Sequence, residues 1–331
     1  MDIVLSTVSM ATDRRGCGLR SFWPRCLLPM KRDWLTKQLF KLCGGRHIMV
    51  KQVEDYSAFH NNWANRYERE YNHWTREEPR NQVQLAFRNH WLTFQQILKN
   101  PHFNAGSRSL EVGCGRGSLS AYFSDADYCC TLLDISPTVI ERAQRIFQDN
   151  SLKADFVVGD ALKLPFPDRS FDIVFSIGLM EHFSDIETLV KEQIRILDRG
   201  GAFIAYVVPE YKNNVQAKYN WINEILKSYA DTDCRQEPKE DVFRTNYGSK
   251  RYVSIAKENG LTDVHSSGLY PLPMISHSIE FPFTLMPDKG EAVLVKRFTE
   301  WLTAKERKTG KNPWLCREGY GQAFLVWGFK Q

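Results

Sequence analysis

The stretch Leu110-Glu111-Val112-Gly113-Cys114-Gly115-Arg116-Gly117-Ser118 constrains this chain more than any other. A short strand-like run leads straight into three glycines at alternate positions, and a helical pattern begins at Ser118. Glycines between a strand and a helix let the backbone approach a ligand closely, and they leave helix N–H groups to meet negative charge. A dinucleotide fingerprint reads G-x-G-x-x-G. Here the third glycine comes one residue earlier, with an acid ahead of the loop. Taken alone, such a loop is equally a tight turn.

The rhythm that follows is strand alternating with helix. Arg108–Val112, Cys129–Leu133, Asp155–Val158, Phe171–Ile177 and Ala202–Val208 read as strands. Helices are expected from Ser118, over Pro137–Gln148 with proline in its first turn, and over Ile186–Leu197, stopped by Gly200-Gly201. This alternation implies right-handed βαβ units and a buried parallel sheet. Further on, a helix over Tyr247–Glu258, a strand near Val264–Leu269, a helix around Glu291–Lys305 and a last strand Ala323–Phe329 are expected. A further helix is placed around Trp221–Tyr229.

Acids stand at the strand ends. Asp134 closes the second strand, 17 positions beyond Gly117, where a carboxylate can accept both hydroxyls of a ribose. Gly159-Asp160-Ala161 ends the third, where a second acid can receive an exocyclic amine. Leu164-Pro165-Phe166-Pro167-Asp168-Arg169-Ser170-Phe171-Asp172 turns into the fourth strand, which ends in Ser176-Ile177-Gly178-Leu179-Met180-Glu181-His182-Phe183. Asp134, Asp160 and Glu111 each also fit an ordinary turn or a structural pair.

This order of motifs, over roughly residues 108–208, resembles the class I S-adenosylmethionine-dependent methyltransferases, in particular the small-molecule branch with the ubiquinone and menaquinone methylases. The resemblance implies a Rossmann-like α/β fold: a seven-stranded mixed sheet in the order 3-2-1-4-5-7-6, last strand antiparallel, with a helical N-terminal cap. It implies S-adenosyl-L-methionine as cofactor and no metal. Glu111 and the loop through Gly113, Gly115 and Gly117 would hold the cofactor's methionine end. Asp134 would bind the ribose and Ile135 lie beside the adenine. Asp160 would accept from the adenine amine, and Ala161 would donate its backbone N–H. Glu181 and His182, at the carboxyl rim of the fourth strand, are the candidates for orienting or deprotonating a methyl acceptor; a loop-satisfying or helix-capping role is the plainer reading. The segment from Ser176 to Phe183 is also similar to cyclopropane fatty acid synthases. A silent cofactor-binding scaffold is the rival from another class.

Composition sets the remaining bounds. At 331 residues, 43% hydrophobic and 25% charged, the chain is long enough for a full core. Its net charge of +5 divides into +6 over residues 1–48 and −1 over the rest, so the body gives no reason to expect nucleic acid as partner. No apolar run is long enough for stable membrane insertion. The eight cysteines lack C-x-x-C and His-Cys metal spacing, and reduced thiols in a cytoplasmic protein are expected. Residues 1–48 read as a basic, disordered extension or as sequence ahead of a start at Met49. A mitochondrial transit peptide or an amphipathic surface anchor also matches their composition. Residues 49–105 are expected as a helical cap, its face carrying Phe59, Trp63, Tyr67, Tyr71 and Trp74. Residues 106–331 are expected to form the methyltransferase domain, with acceptor-side insertions at about 209–246 and 271–320.

Overall fold

In the computed structural model, the residues described are 74–100, 102–210, 243–269 and 288–331. The expectations for residues 1–48, for Phe59 through Tyr71 and for a helix at Trp221–Tyr229 lie outside them.

Eight strands make one sheet: β1 (Arg108–Val112), β2 (Cys129–Asp134), β3 (Asp155–Val158), β4 (Phe171–Ile177), β5 (Leu197–Val207), β6 (Leu261–Leu269), β7 (Leu315–Cys316) and β8 (Ala323–Lys330). Their order is β3-β2-β1-β4-β5-β8-β6-β7. The first five run parallel, and β8 enters antiparallel between β5 and β6. This is the expected order with one correction. The two-residue β7 pairs Cys316 with Gly268 and Leu315 with Leu269, which adds an eighth strand at the edge. A ribbon that short carries no periodicity to read.

Six helices are described: α1 (Gln82–Ile97), α2 (Ser118–Asp125), α3 (Pro137–Asp149), α4 (Ile186–Ile196), α5 (Ser249–Glu258) and α6 (Asp288–Thr309). Side chains alternate across the strands, so each face has its own core. Ile173, Phe175, Ile204, Tyr206 and Leu325 face one layer with Phe94 of α1, Phe123 of α2 and Phe147 of α3. Val174, Phe203, Ala205, Phe324 and Val326 face the other, with Ile186 and Ile194 of α4 and Ile255 of α5. Each Val, Leu, Ile or Phe among them, fully buried, contributes roughly 1.5–3 kcal/mol. Trp74 is buried, edge-on to Tyr122 at 6.2 Å.

The helix before β5 stops for another reason than its glycines. α4 ends at Ile196, and Lys330 Nζ donates to the carbonyls of Ile194, Arg195 and Leu197 at 2.8, 3.2 and 2.7 Å. The carbonyls of Ile194 and Arg195, in the last turn, have no partner within the helix. Gly200 and Gly201 lie inside β5, where pairing jumps from Phe171–Leu197 to Ile173–Ala202. Gly200 sits at φ 75°, and a Cβ on Gly201 would come within 2.8 Å of the Asp172 carbonyl oxygen. The pair makes a bulge.

Candidate active site

The five parallel strands end along one edge, and the loops there carry most of the residues singled out in the sequence. The glycine loop is shaped by backbone conformation: Gly113, Gly115 and Gly117 have φ of 69°, 53° and 68°, the left-handed region that disfavours any Cβ. A Cβ on Gly113 would also meet Leu179 Cδ1 at 2.6 Å, because the turn after β4 lies against this loop. The Gly113 and Cys114 N–H groups donate to the Leu133 carbonyl at 2.8 and 2.9 Å, tying the loop to β2.

Asp134 is built into the same loop. Its Oδ2 accepts from the Gly115 N–H at 3.2 Å and its Oδ1 from the Ser136 N–H at 3.0 Å. The Gly159 N–H donates to the Asp134 carbonyl at 3.0 Å, which sets Asp160 at the neighbouring strand end. Asp160 is exposed and its Oδ1 accepts from the Leu162 N–H at 2.8 Å; Ala161 beside it is buried. Ile135, next to Asp134, is a large apolar side chain left 40% exposed.

Glu111 stands apart from the rim. It is buried in β1 on the face that carries α2, and its Oε2 accepts from the Ser120 N–H and Oγ–H at 3.1 and 2.5 Å. Burial pushes its carboxyl up to about 8, against the lowering effect of the Ser120 bonds. The structure thus joins Glu111 to the first turn of α2, whose N-cap Gly117 has no side chain to serve it.

Glu181 and His182 occupy a 3-10 turn, Met180–His182, directly after β4. The His182 ring donates from Nδ1 to the Phe243 carbonyl at 2.8 Å. A carbonyl can only accept, so the neutral ring carries its lone pair on Nε2, 4.0 Å from Glu181 Oε1. Glu181 is 2% exposed, and its Oε2 meets no hydrogen-bond donor among the described residues. Burial raises its carboxyl to about 7, with Arg244 pulling the other way. The Thr245 N–H donates to the Glu181 carbonyl at 2.7 Å, so the segment from Phe243 to Thr245 clasps this turn. Nothing in the sequence pointed to that clasp, which comes from 61 residues downstream of His182. Tyr206, buried in β5 and in electrostatic contact with Glu181, was hidden in an apolar run.

The donor set fits the cofactor that the sequence resemblance implies. Carboxylates at two adjacent strand ends suit hydroxyl and amine donors, the exposed Ile135 beside Asp134 suits a flat apolar ring, and the glycine loop brings bare backbone close. Among the described residues no cluster of His, Cys, Asp or Glu has a metal-holding arrangement. No described helix is long and apolar enough to cross a membrane.

A family model described as a methyltransferase domain matches residues 110–205. Ajmaline N-methyltransferase of Rauvolfia serpentina is 38% identical over 98 residues, 29% of this chain and 34% of that protein. The sterol 24-C-methyltransferase of Aspergillus fumigatus is 36% identical over 127 residues, 37% of this chain and 32% of its own. The chain thus spans about a third of the length of these relatives. Among solved structures, phosphoethanolamine N-methyltransferase 2 of Haemonchus contortus with S-adenosyl-L-methionine covers 73% of this chain and 52% of its own, at 17% identity and a TM-score of 0.46. The order of motifs, the strand-end acids and the family match together identify residues 110–205 as a methyltransferase domain of the class I type.

Proposed function

We propose that this chain transfers a methyl group from S-adenosyl-L-methionine to a small-molecule acceptor. The observation that carries the reading is the edge of five parallel strands where the left-handed glycine loop, Asp134 and Asp160 meet. Asp134, braced by two backbone N–H groups, presents its carboxylate to the ribose hydroxyls. Ile135 packs on the adenine, Asp160 accepts from its amine, and the Ala161 N–H completes that edge. The loop through Gly113, Gly115 and Gly117 receives the methionine end, and Glu111 supports it through α2.

The bound cofactor supplies an electrophilic methyl on a sulfonium. The protein's part is to align the acceptor in line with that methyl and to exclude water, which together can supply most of the acceleration. Where the acceptor must lose a proton, His182 is the base: the Phe243 carbonyl fixes Nδ1–H, and Nε2 is the atom that takes the proton. Glu181 beside it orients the acceptor or steadies the resulting imidazolium. The reading places the protein in the cytoplasm, supported by free thiols at Cys114, Cys129, Cys130 and Cys316. A mitochondrial location rests on the basic composition of residues 1–48.

The test is to incubate the purified chain with methyl-tritiated S-adenosylmethionine and a deproteinised metabolite extract. Label should pass to one or a few small molecules. Binding of S-adenosylhomocysteine without transfer to any fraction would favour the silent scaffold.

A further inference from the structure

A polar group outside the turn after β4 stands over the same edge. Gln82, the first residue of α1, is 2% exposed, and neither its Oε1 nor its Nε2 has a hydrogen-bond partner among the described residues. Burying an amide without partners is costly, and a native chain that keeps one calls for an explanation.

The height of Gln82 follows from how α1 packs. Phe94 meets Phe175 with ring centroids 5.7 Å apart, and one turn earlier His90 meets Tyr206 at 4.7 Å. Phe175 pairs with Ile204 and Ile177 with Tyr206, so one turn back along α1 is two residues nearer the carboxyl edge. α1 therefore runs antiparallel to the strands. β5 ends one residue past Tyr206, at Val207. From His90 to Gln82 the helix climbs a further eight residues, about 12 Å at its ordinary rise. Gln82 thus stands above the edge, on the face that carries Tyr206.

Its seat is fixed. The Gln82 N–H donates to Glu291 Oε1 of α6 at 3.0 Å. Asn81 Oδ1 accepts from the Gln84 N–H at 2.8 Å, and Gln84 Oε1 from the Arg80 N–H at 2.9 Å. α1 packs against both α2 and α6. α2 leaves the glycine loop and so belongs to the cofactor's side. The bond to Glu291 ties Gln82 to α6 instead.

We propose that Gln82 is a specificity-determining residue for the acceptor. Its amide, donor beside acceptor, takes a group of the same paired kind on the part of the acceptor away from the methylated atom: a carboxamide, a carboxylic acid or a hydroxyl. Glu181 Oε2 is a second buried polar atom above this edge without a partner among the described residues. The acceptor that satisfies both carries hydrogen-bonding groups at two places and is not a bare hydrocarbon chain. The inference rests on the methyltransferase reading. The cofactor's methionine end offers the same paired chemistry, and cofactor affinity separates the two sources.

The variants are Gln82→Met, which keeps the volume and removes the polarity, and Gln82→Asn, which keeps an amide one methylene shorter. Gln82→Met should melt at or above the wild-type temperature, since it removes an unpaired buried amide, and should bind S-adenosylhomocysteine within twofold of wild type. Transfer of label to the metabolite extract should fall at least tenfold, with part of it recovered in Gln82→Asn. For the labelled acceptor, KM should rise more than kcat falls. A melting temperature lower by several degrees makes Gln82 structural and overturns the proposal. Tenfold weaker S-adenosylhomocysteine binding assigns the amide to the cofactor and overturns it equally, as does unchanged label transfer. A wild-type chain that labels nothing rejects the methyltransferase reading, and Gln82 is then judged by melting temperature and S-adenosylhomocysteine affinity alone.

Discussion

Glu111 Oε2 accepts both the N–H and the hydroxyl of Ser120, nine residues later, across the glycine loop. One carboxyl group in β1 thereby holds the start of α2 in place of a capping side chain. The loop between them is left to its glycines, which take the left-handed turns.

That pairing sets a pH dependence. Burial raises the Glu111 carboxyl to about 8, above its unfolded value, so the folded state holds a proton that the unfolded state has already lost. The resulting stability is fully present below about pH 4.3 and is lost as pH rises toward 8. Glu181, raised to about 7, acts with the same sign over the lower part of that window. Glu111→Gln should therefore flatten the decline by on the order of 1 kcal/mol per pH unit between about pH 5 and 7, with the effect fading as pH approaches 8. Urea denaturation of both proteins across pH 5–9 checks this, and parallel curves would refute it.

Asp134 serves the loop and, in the proposed function, the cofactor. Its bonds to the Gly115 and Ser136 N–H groups are present without any ligand, so its removal loosens the loop as well as costing a contact. Asp134→Ala should weaken S-adenosylmethionine binding by about 2–3 kcal/mol, the scale of lost charge-assisted bonds. Asp134→Asn should lose less. Calorimetry showing wild-type affinity in the alanine variant would remove Asp134 from the site.

The legible parts of this chain were those written in local periodicity. β1 through β4, their helices and the acids at the strand ends follow from runs of neighbouring residues, and so does the presence of a last strand, whose antiparallel direction came only with the family resemblance. What escaped was non-local. The end of α4 depends on Lys330, 134 positions beyond Ile196, so Gly200-Gly201 read as the stop when they form a bulge. The orientation of His182 depends on a main-chain carbonyl at Phe243, where the side chain gives no signal. Gln82 looks like any polar residue opening a helix until its burial is known.

Lys330 gives a stability prediction away from the chemistry. Lys330→Met removes three donations to the carbonyls that close α4 and should cost about 1–3 kcal/mol. The urea midpoint should fall with an unchanged slope. The site at the carboxyl edge is untouched, so S-adenosylhomocysteine affinity should hold. A midpoint equal to wild type would mean that solvent serves those carbonyls equally well.

His182 separates positioning from proton transfer most cleanly, because its two nitrogens have different tasks. Nδ1–H is bonded to the Phe243 carbonyl, and Nε2 is the basic atom. Asparagine can imitate the Nδ1–H donor but offers no base in the place of Nε2, so His182→Asn should keep the clasp and the melting temperature. If His182 takes a proton from the acceptor, kcat should fall by about 10²–10⁴-fold in this variant. Affinity for S-adenosylhomocysteine should stay near wild type. His182→Ala should lose the same activity and, in addition, stability, since the part-buried Phe243–His182 bond is gone. If the ring only orients the acceptor, KM should rise in both variants while kcat holds. Near-wild-type turnover in His182→Asn would end the case for a base at this position. The acceptor would then have to be one that gives up no proton before the methyl arrives, or one that loses it to solvent.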